Sequence, residues 1–376
     1  MLTIDAVHLR EINMPLAFPF ETSFGVTTTR RILLVEIESD GLTAWGECVA
    51  GEHPYYSEES IDTAWMVSET ELAPRLVGQE LVGGGSVPAL FRQVRGHRMA
   101  KAALENAVWD LEAQQKKMPL AELLGGVRSE IPCGVSIGIQ PSPAALMEKI
   151  AEAVEAGYQR IKLKCKPGWD TRIFEQVRTR WPDIRLSCDA NSAYRVRDIE
   201  HIVEWDQFDL MMIEQPLWYD DFYFHSMLQK RLDTPICLDE SIRTRRDALA
   251  AIDMESCRVI NVKVGRVGGF SEAIAVHNAT AERGIPVWCG GMLETGIGRA
   301  HNIALSSLAN FSLPGDVSAS KRYWVEDIIE PEVTVSSEGE IAVPTGIGSG
   351  YGVRRDRIEA LTVRRQTVRS AARVMA

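Results

Sequence analysis

The opening third of the chain alternates polar and apolar residues in short segments, a pattern typical of antiparallel strands with one buried face. These segments are residues 4–10, 31–39 and 41–47. Two stretches with helical spacing of apolar residues follow, at 58–76 and 99–114. The pattern therefore predicts an α+β lid domain that ends near the Gly125-Gly126 break.

From residue 131 onward the pattern changes to short apolar runs separated by amphipathic helical segments. There are eight such runs, at 133–139, 158–163, 184–188, 208–213, 236–238, 259–262, 287–289 and 311–313. Apolar strands alternating with helices indicate a parallel sheet buried on both faces, and eight such units predict a (β/α)8-type (TIM-like) barrel. A doubly wound open sheet is the structural alternative, but the G-x-G-x-x-G that it would carry after its first strand is missing.

The C-terminal tail returns to strand-like alternation at 333–336 and 340–343 and is predicted to pack back on the N-terminal sheet. Its four arginines, at 364, 365, 369 and 373, indicate a solvated or disordered end. The expected organisation is an α/β protein with an α+β lid (1–125), a barrel (126–322) and a C-terminal segment returning to the lid (323–376).

The amino-acid composition limits the kinds of partner that we expect this protein to bind. The formal net charge is −11 and no basic face is interleaved with aromatic residues, so nucleic acid is not expected to bind. No apolar run reaches 18 residues, so no membrane partner is expected either. The seven cysteines include no C-x-x-C pair, and the N-terminus lacks a secretory pattern. We therefore expect a cytoplasmic protein with structural cysteines.

Charged residues end five consecutive apolar runs. Positions 164, 189, 214, 239 and 263 are 25, 25, 25 and 24 residues apart, one βα unit each. Because barrel enzymes place their reacting groups at the C-terminal ends of the strands, these side chains should meet at one mouth.

Three of these residues are acids: Asp189, Glu214 and Asp239. Three carboxylates at one mouth repel one another unless a cation offsets them. Hard oxygen ligands without His or Cys favour Mg²⁺, so the three acids are predicted as its ligands. Each acid alone could instead cap the helix that follows its strand.

The other two are lysines, Lys164 and Lys263, on strands two and six. Lys162, on the same side of its strand as Lys164, supplies a cation that favours a neutral, basic Lys164 amine. Salt bridges to the acids would explain one lysine but not two that face each other. A divalent ion with a lysine on each face of a substrate α-carbon is the arrangement that α-proton abstraction and enediolate stabilisation require.

These residues resemble the enolase superfamily, specifically its muconate-lactonising subgroup, across nearly the whole chain. Within that subgroup, Trp45-Gly46-Glu47-Cys48 and the segments 22–25, 102–111, 160–164, 290–298 and 314–320 are similar to the o-succinylbenzoate synthase/N-acylamino acid racemase family. Strand seven offers no histidine base, unlike the mandelate-racemase-like subgroup. The segment Asp316-Val317-Ser318 lacks the second acid that dipeptide epimerases use.

The resemblance implies a lyase that uses Mg²⁺, with Mn²⁺ as an alternative ion. The family's reaction is the syn-dehydration of 2-succinyl-6-hydroxy-2,4-cyclohexadiene-1-carboxylate through an enediolate, in menaquinone biosynthesis. Lys164 would remove the α-proton while Lys263 stays cationic. The alternative is racemisation of N-acylamino acids, such as N-succinylamino acids, with the same two lysines, alone or beside the dehydration. Related barrels often pair, so a homo-oligomer acting on a small-molecule carboxylate is expected.

Supporting residues follow from the same resemblance. Asn191 would sit beside the metal, and Glu240 would be an acid behind the ligands. Arg266 resembles an arginine of the racemising branch and could tune Lys263, or it could only cap a loop. The apolar loop 14–25 should either cover the substrate or pack between lid and barrel. The residues expected to line the substrate pocket are Phe20, Trp45, Ser136 and Met292.

Overall fold

The computed structural model describes residues 1–23 and 25–369. Its strands, β1 to β17 in chain order, are Leu2–Thr3, Ala6–Thr22, Gly25–Ser39, Leu42–Cys48, Glu80–Leu81, Glu130–Pro132, Gly134–Ile137, Arg160–Lys164, Leu186–Asp189, Ile213–Glu214, Ile236–Leu238, Val259–Val262, Val287–Cys289, Ile329–Glu330, Glu340–Ala342, Gly352–Val353 and Thr362–Arg369.

The helices, α1 to α14, are Ile61–Val67, Ala73–Leu76, Val87–Leu90, Arg98–Lys116, Leu120–Leu123, Pro143–Glu155, Thr171–Arg180, Ile199–Val203, Tyr223–Gln229, Arg245–Asp253, Val264–Val267, Phe270–Glu282, Gly296–Ser306 and Arg355–Leu361. Short 3₁₀ turns lie at Gly84–Ser86, Val196–Asp198, Glu204–Phe208 and Ser320–Arg322, and a π turn, Ser68–Leu72, joins α1 to α2. Across the described residues, no helix combines the length and the apolar character needed to cross a membrane.

The N-terminal sheet has four antiparallel strands in the order β17-β2-β3-β4. Its centre is a long hairpin, since β2 and β3 stay paired from Ala6 opposite Glu38 out to Thr22 opposite Gly25. The prediction that residues 14–25 form a loop is therefore wrong. The described residues of this range form the far half of the hairpin, in which the pairing register shifts between Pro15 and Phe20. Proline lacks the N–H that a regular ladder needs, which explains the interruption. Helix α4 packs its apolar face against β4 beneath this sheet.

The barrel contains a parallel sheet of seven strands in the order β13-β12-β11-β10-β9-β8-β7. The eighth predicted run, 311–313, forms no regular strand. Two isolated parallel bridges are found in this part of the chain instead. Phe311 pairs with Val287 of β13, and Gly315, just after the predicted run, pairs with Cys133 just before β7. The segment 311–315 thus occupies the eighth position between the two edge strands. The (β/α)-barrel class is confirmed, with an irregular eighth member.

Helical segments follow the barrel strands nearly where the periodicity predicted them. Ser142 accepts a hydrogen bond from the backbone of Ala145 and so caps α6, and Thr244 caps α10 in the same way through Asp247. The fourth strand is shorter than predicted and lies later, because Phe208 ends a 3₁₀ turn and pairing begins only at Ile213.

The C-terminal segment divides its contacts. β15 pairs with β6, whereas β17 pairs antiparallel with β2, and 333–336 forms no strand. Arg364, Arg365 and Arg369 are exposed, as the solvated alternative expects, but they belong to β17, so the disordered alternative is wrong for them. Position 373 lies outside the described residues, and the domain boundaries at 125 and 322 stay predictions.

Candidate active site

Strand register brings the first charged residues together. Lys164 is the cross-strand partner of Asp189, and Asp189 is in turn the partner of Glu214. Asp239 follows the last residue of β11, and Lys263 follows the last residue of β12. All five are buried at the C-terminal ends of the parallel strands. The structure thus brings together the residues that the 25-residue spacing singled out.

Lys162 is the centre of the first group of acids. Its Nζ lies 2.7 Å from Glu214 Oε2, 2.6 Å from Asp316 Oδ2 and 3.4 Å from Asp189 Oδ2. Burial alone lowers the pKa of Lys162, but the three surrounding carboxylates outweigh it and raise the pKa above its usual range. Lys162 is therefore a fixed cation.

Lys164 faces a different pair of partners. Its Nζ lies 2.5 Å from Asp189 Oδ2 and donates to Asn191 Oδ1 at 2.7 Å. Burial alone raises the pKa of Asp189, but the ammonium groups of Lys164 and Lys162 lower it to about 2. Asn191 in turn donates to Glu240 Oε1 at 2.9 Å, so Asn191 links Lys164 to Glu240.

Asp239 is the centre of the second group. Its Oδ2 lies 2.8 Å from Lys263 Nζ, and its Oδ1 accepts hydrogen bonds from Arg266 and, at 2.8 Å, from the hydroxyl of Tyr56. Burial alone lowers the pKa of Lys263, but its neighbours, Tyr56 first and Glu214 next, raise it above the usual range. Lys263 is therefore held as an ammonium in this arrangement.

The two lysines lie on opposite sides of the mouth. Lys164 ends β8 and Lys263 follows β12, four positions apart in a ring of seven strands closed by the segment 311–315. The acids on β9, β10 and β11 lie between them along one side of the ring. A flat substrate in this mouth would have one lysine on each face.

The acids fit Mg²⁺ in their donor chemistry, since all three offer carboxylate oxygens and all three are at most 1% exposed. Asp189 and Glu214 already converge on a single cation, the ammonium of Lys162. However, within residues 1–23 and 25–369 no three His, Cys, Asp or Glu side chains stand close enough to hold a metal ion together. The acids are arranged here around ammonium groups.

A cavity of about 320 Å³ opens over this group. Phe20, Ser136 and Met292 line it, as do Lys162, Lys164, Asn191 and Lys263. Phe20 belongs to the β2–β3 hairpin, whose far end is held by hydrogen bonds from Ile139 of the barrel to the Glu21 carbonyl and from Ala17 to the Tyr323 carbonyl, just past the predicted end of the barrel. The hairpin therefore covers the mouth as well as packing between lid and barrel.

The prediction that Trp45 lines the substrate pocket is wrong, because Trp45 does not line this cavity. It lies on β4, and the guanidinium carbons of Arg10 and Arg355 lie 5.4 and 5.3 Å from the centroid of its ring. It faces a separate cavity on the side of α13. Its neighbour on the same strand face, Glu47, instead accepts hydrogen bonds from Thr295 and Gly298 at the start of α13. This part of the predicted motif joins lid to barrel.

Several site residues were missed. Asp316 was noted only for its missing second acid, yet it is clamped by Lys162 and by the fully buried Arg160, whose Nη2 lies 2.6 Å from Asp316 Oδ1. Asn261 donates to Glu214 Oε1 at 2.8 Å. Arg160 and Asn261 each lie two positions from a recognised lysine, a same-face signal that could have found them. No sequence signal marks Tyr56, which reaches the site from the segment before α1.

Comparison with known proteins places this geometry in a family. Residues 145–357 match the profile described as enolase C-terminal domain-like. Residues 4–125 match the profile of the mandelate racemase/muconate lactonizing enzyme N-terminal domain.

Two curated relatives cover nearly the full chain. An o-succinylbenzoate synthase from Geobacillus kaustophilus is 51% identical over 362 residues, which is 96% of each chain. An N-succinylamino acid racemase from an Amycolatopsis species is 45% identical over 362 residues, 96% of this chain and 98% of the relative. Both activities that the motifs suggested are thus represented among the relatives.

Solved structures agree. An enolase superfamily member from Listeria innocua superposes with a TM-score of 0.94 at 39% identity, covering 98% of this chain and 100% of the other. A dipeptide epimerase from Cytophaga hutchinsonii, solved with Mg and a dipeptide, gives a TM-score of 0.88 at 25% identity over 97% of this chain and 100% of the other. The chain therefore belongs to the enolase superfamily, within its o-succinylbenzoate synthase/N-succinylamino acid racemase family.

Proposed function

We propose that this protein is a Mg²⁺-dependent o-succinylbenzoate synthase. It would dehydrate 2-succinyl-6-hydroxy-2,4-cyclohexadiene-1-carboxylate, the reaction that the family resemblance implies, and the Geobacillus relative carries the name o-succinylbenzoate synthase. The observation that carries the proposal is the pair of lysines, Lys164 and Lys263, on opposite sides of an acidic barrel mouth. The cavity is also lined by buried cations although the chain as a whole is acidic, which suits a carboxylate substrate.

The two lysines have different roles in the dehydration. The neutral amine of Lys164 removes the α-proton and becomes an ammonium, leaving an enediolate on the substrate. The ring then expels hydroxide on the same face, and the Lys164 ammonium returns its proton so that water leaves. Lys263 remains an ammonium on the other face and offsets the developing negative charge. Mg²⁺ held by Asp189, Glu214 and Asp239 would supply further positive charge to the carboxylate end of the enediolate.

The alternative activity is racemisation of N-succinylamino acids, with both lysines exchanging protons. Arg266 favours it, because this buried guanidinium donates to the carboxylate that also holds Lys263. The same guanidinium donates to the carbonyls of Ile242 and Asn261, which is the loop-capping role. These contacts are compatible with both roles at once, tuning Lys263 and capping the loop, and therefore with a bifunctional enzyme.

The proposed pathway, cellular location and assembly follow from the family resemblance. We place the enzyme in menaquinone biosynthesis and in the cytoplasm, where its seven buried, free cysteines stay reduced. We also propose that it assembles as a homo-oligomer and that Mn²⁺ can replace Mg²⁺.

The test is a side-by-side assay of the purified protein with Mg²⁺ on the cyclohexadiene carboxylate and on an N-succinylamino acid. We expect dehydration, and a loss of at least about 10³-fold in kcat in Lys164→Ala, since this variant lacks the base. Lys166→Ala is the matched control, because its partly exposed amine pairs only with Glu21 among the described contacts. Racemisation faster than dehydration in kcat/KM would favour the alternative, and neither activity would refute both.

A further inference from the structure

We infer that Tyr56 is a positioning residue for Lys263, and that chemistry on the Lys263 face depends on it far more than chemistry on the Lys164 face. The kinetic readout of this inference rests on the proposed function through its alternative activity, proton exchange by both lysines, whereas the geometric part stands without it.

Tyr56 makes two separate contacts with the Lys263 group. Its ring lies face-on to the ammonium, with Lys263 Nζ 4.4 Å from the ring centroid. Its hydroxyl donates to Asp239 Oδ1 at 2.8 Å, and Asp239 Oδ2 holds the same ammonium. An ammonium packed on an aromatic face is attracted to it, more strongly where water is excluded. Tyr56 therefore acts on Lys263 directly through its ring and indirectly through Asp239.

A third contact fixes the tyrosine itself. Arg266 Nη1 lies 3.3 Å from the Tyr56 hydroxyl, so the phenol oxygen accepts from Arg266 while it donates to Asp239. Such a relay leaves the ring little freedom to turn away from Lys263.

Tyr56 lines two cavities. One is the main cavity over the lysines, and the other has a volume of about 160 Å³ and is also lined by Glu240 and Arg266. If the ring were removed, the Lys263 ammonium would lose the aromatic surface against which it packs. Glu240 Oε2, which is buried without a hydrogen-bond partner, would offer it a competing site.

The Lys164 side is built from other residues. Its ammonium is held by Asp189 and Asn191, both of the barrel. Tyr56 comes instead from the lid, between β4 and α1. Loss of the tyrosine should therefore unbalance the two faces, whereas a general loss of folding would affect both equally.

The first experiment needs no activity. Lysine amines of the Mg²⁺-loaded parent, Tyr56→Phe and Tyr56→Leu are labelled competitively with acetic anhydride and quantified by peptide mass spectrometry. We expect labelling of Lys263 to rise several-fold in Tyr56→Leu, to change little in Tyr56→Phe, which keeps the ring, and to stay constant at Lys164. Equal labelling of Lys263 in the parent and Tyr56→Leu would overturn the inference.

The second experiment measures exchange of the α-proton for deuterium in each enantiomer of an N-succinylamino acid. Lys164→Ala and Lys263→Ala identify which enantiomer each lysine serves. We expect Tyr56→Leu to lower kcat for the Lys263 enantiomer about tenfold or more, with the other enantiomer and both KM values changed less than about threefold. Tyr56→Phe should restore most of the loss.

Tyr223→Leu is the control, since this exposed tyrosine lies on α9 outside the cavities described. Equal losses for both enantiomers would show a merely structural role and contradict the inference. If the parent neither exchanges nor dehydrates, the proposed function fails, and the labelling result still decides the role of Tyr56.

Discussion

At the residue scale, the chemistry depends on how buried charges are shared. Asp239 shows this best, because its two oxygens serve Lys263, Arg266 and the Tyr56 hydroxyl at once. Three donors, two of them cationic side chains, therefore converge on one buried carboxylate. The same charge makes it a candidate ligand for a divalent cation.

Replacement of Asp239 tests the proposed metal set. We expect Asp239→Asn to weaken Mg²⁺ binding at least about tenfold, because the variant keeps the shape but loses the charge. Calorimetric titration of the metal-free protein measures it, and circular dichroism checks folding. Asp253→Asn, at the exposed end of α10, is the control. Unchanged affinity would remove Asp239 from the ligand set.

Residues differ in how far the sequence predicts them. Lys164 and Glu214 were predictable because one βα unit brings successive strand ends to the same mouth, so spacing along the chain reports distance in space. Tyr56 and Asp316 were not, since each reaches the site from a loop whose path no local pattern encodes. Trp45 was assigned to the pocket from its motif alone, but that motif serves the contact between β4 and α13.

At the element scale, the first turn of helix α4 is capped by a side chain that does not belong to the helix. Glu59 accepts hydrogen bonds from the backbone of Met99 at 2.9 Å and of Ala100 at 3.1 Å, which would otherwise be unpaired donors in the first turn. Burial nevertheless raises the pKa of Glu59 to about 7, because desolvation outweighs these hydrogen bonds.

This raised pKa predicts a pH dependence of stability. The folded state binds the Glu59 proton more tightly than the unfolded state, so its contribution is full below the unfolded pKa and is lost as pH rises toward 7. Relative to Glu59→Gln, the parent should therefore lose about 1 to 3 kcal/mol of unfolding free energy between pH 4.5 and 7.5. Urea unfolding at several pH values measures it, with the exposed neighbour in Glu58→Gln as control. Parallel curves for parent and Glu59→Gln would contradict it.

Elements were predicted unevenly. The strands Ile236–Leu238, Val259–Val262 and Val287–Cys289 lie where the apolar runs placed them. The sequence pattern did not predict a strand at the far end of the hairpin, because Pro15 and Pro19 interrupt the alternation of polar and apolar residues there. The hairpin end is held in place by backbone hydrogen bonds to segments distant in sequence, at Ile139 and Tyr323.

At the scale of the whole molecule, the two ends of the chain share one sheet. β17 covers β2 from Thr362 opposite Ile12 to Arg369 opposite Ala6, so residues at least 350 positions apart form one ladder. Without β17, the backbone of β2 would become an exposed edge, which favours association with other chains.

Truncation after Leu361 should therefore lower the melting temperature and produce self-associated species. Thermal unfolding and size-exclusion chromatography measure both effects. The control is Arg365→Ala, which removes an exposed ion pair with Glu359 but keeps the strand, and exposed pairs contribute about 0–1 kcal/mol. A truncated protein that melts and elutes like the parent would show that the ladder contributes little.

The barrel class and the charged residues at its mouth could be predicted from the amino-acid sequence, because helical and strand periodicities and the βα repeat are local properties of the chain. The same residues identified the family. The surroundings of each charge became known only from the fold: Lys162 and Arg160 hold Asp316, Tyr56 packs on Lys263, and the β2–β3 hairpin covers the mouth. These contacts join distant segments, and their geometry depends on how lid and barrel pack, which no local pattern records.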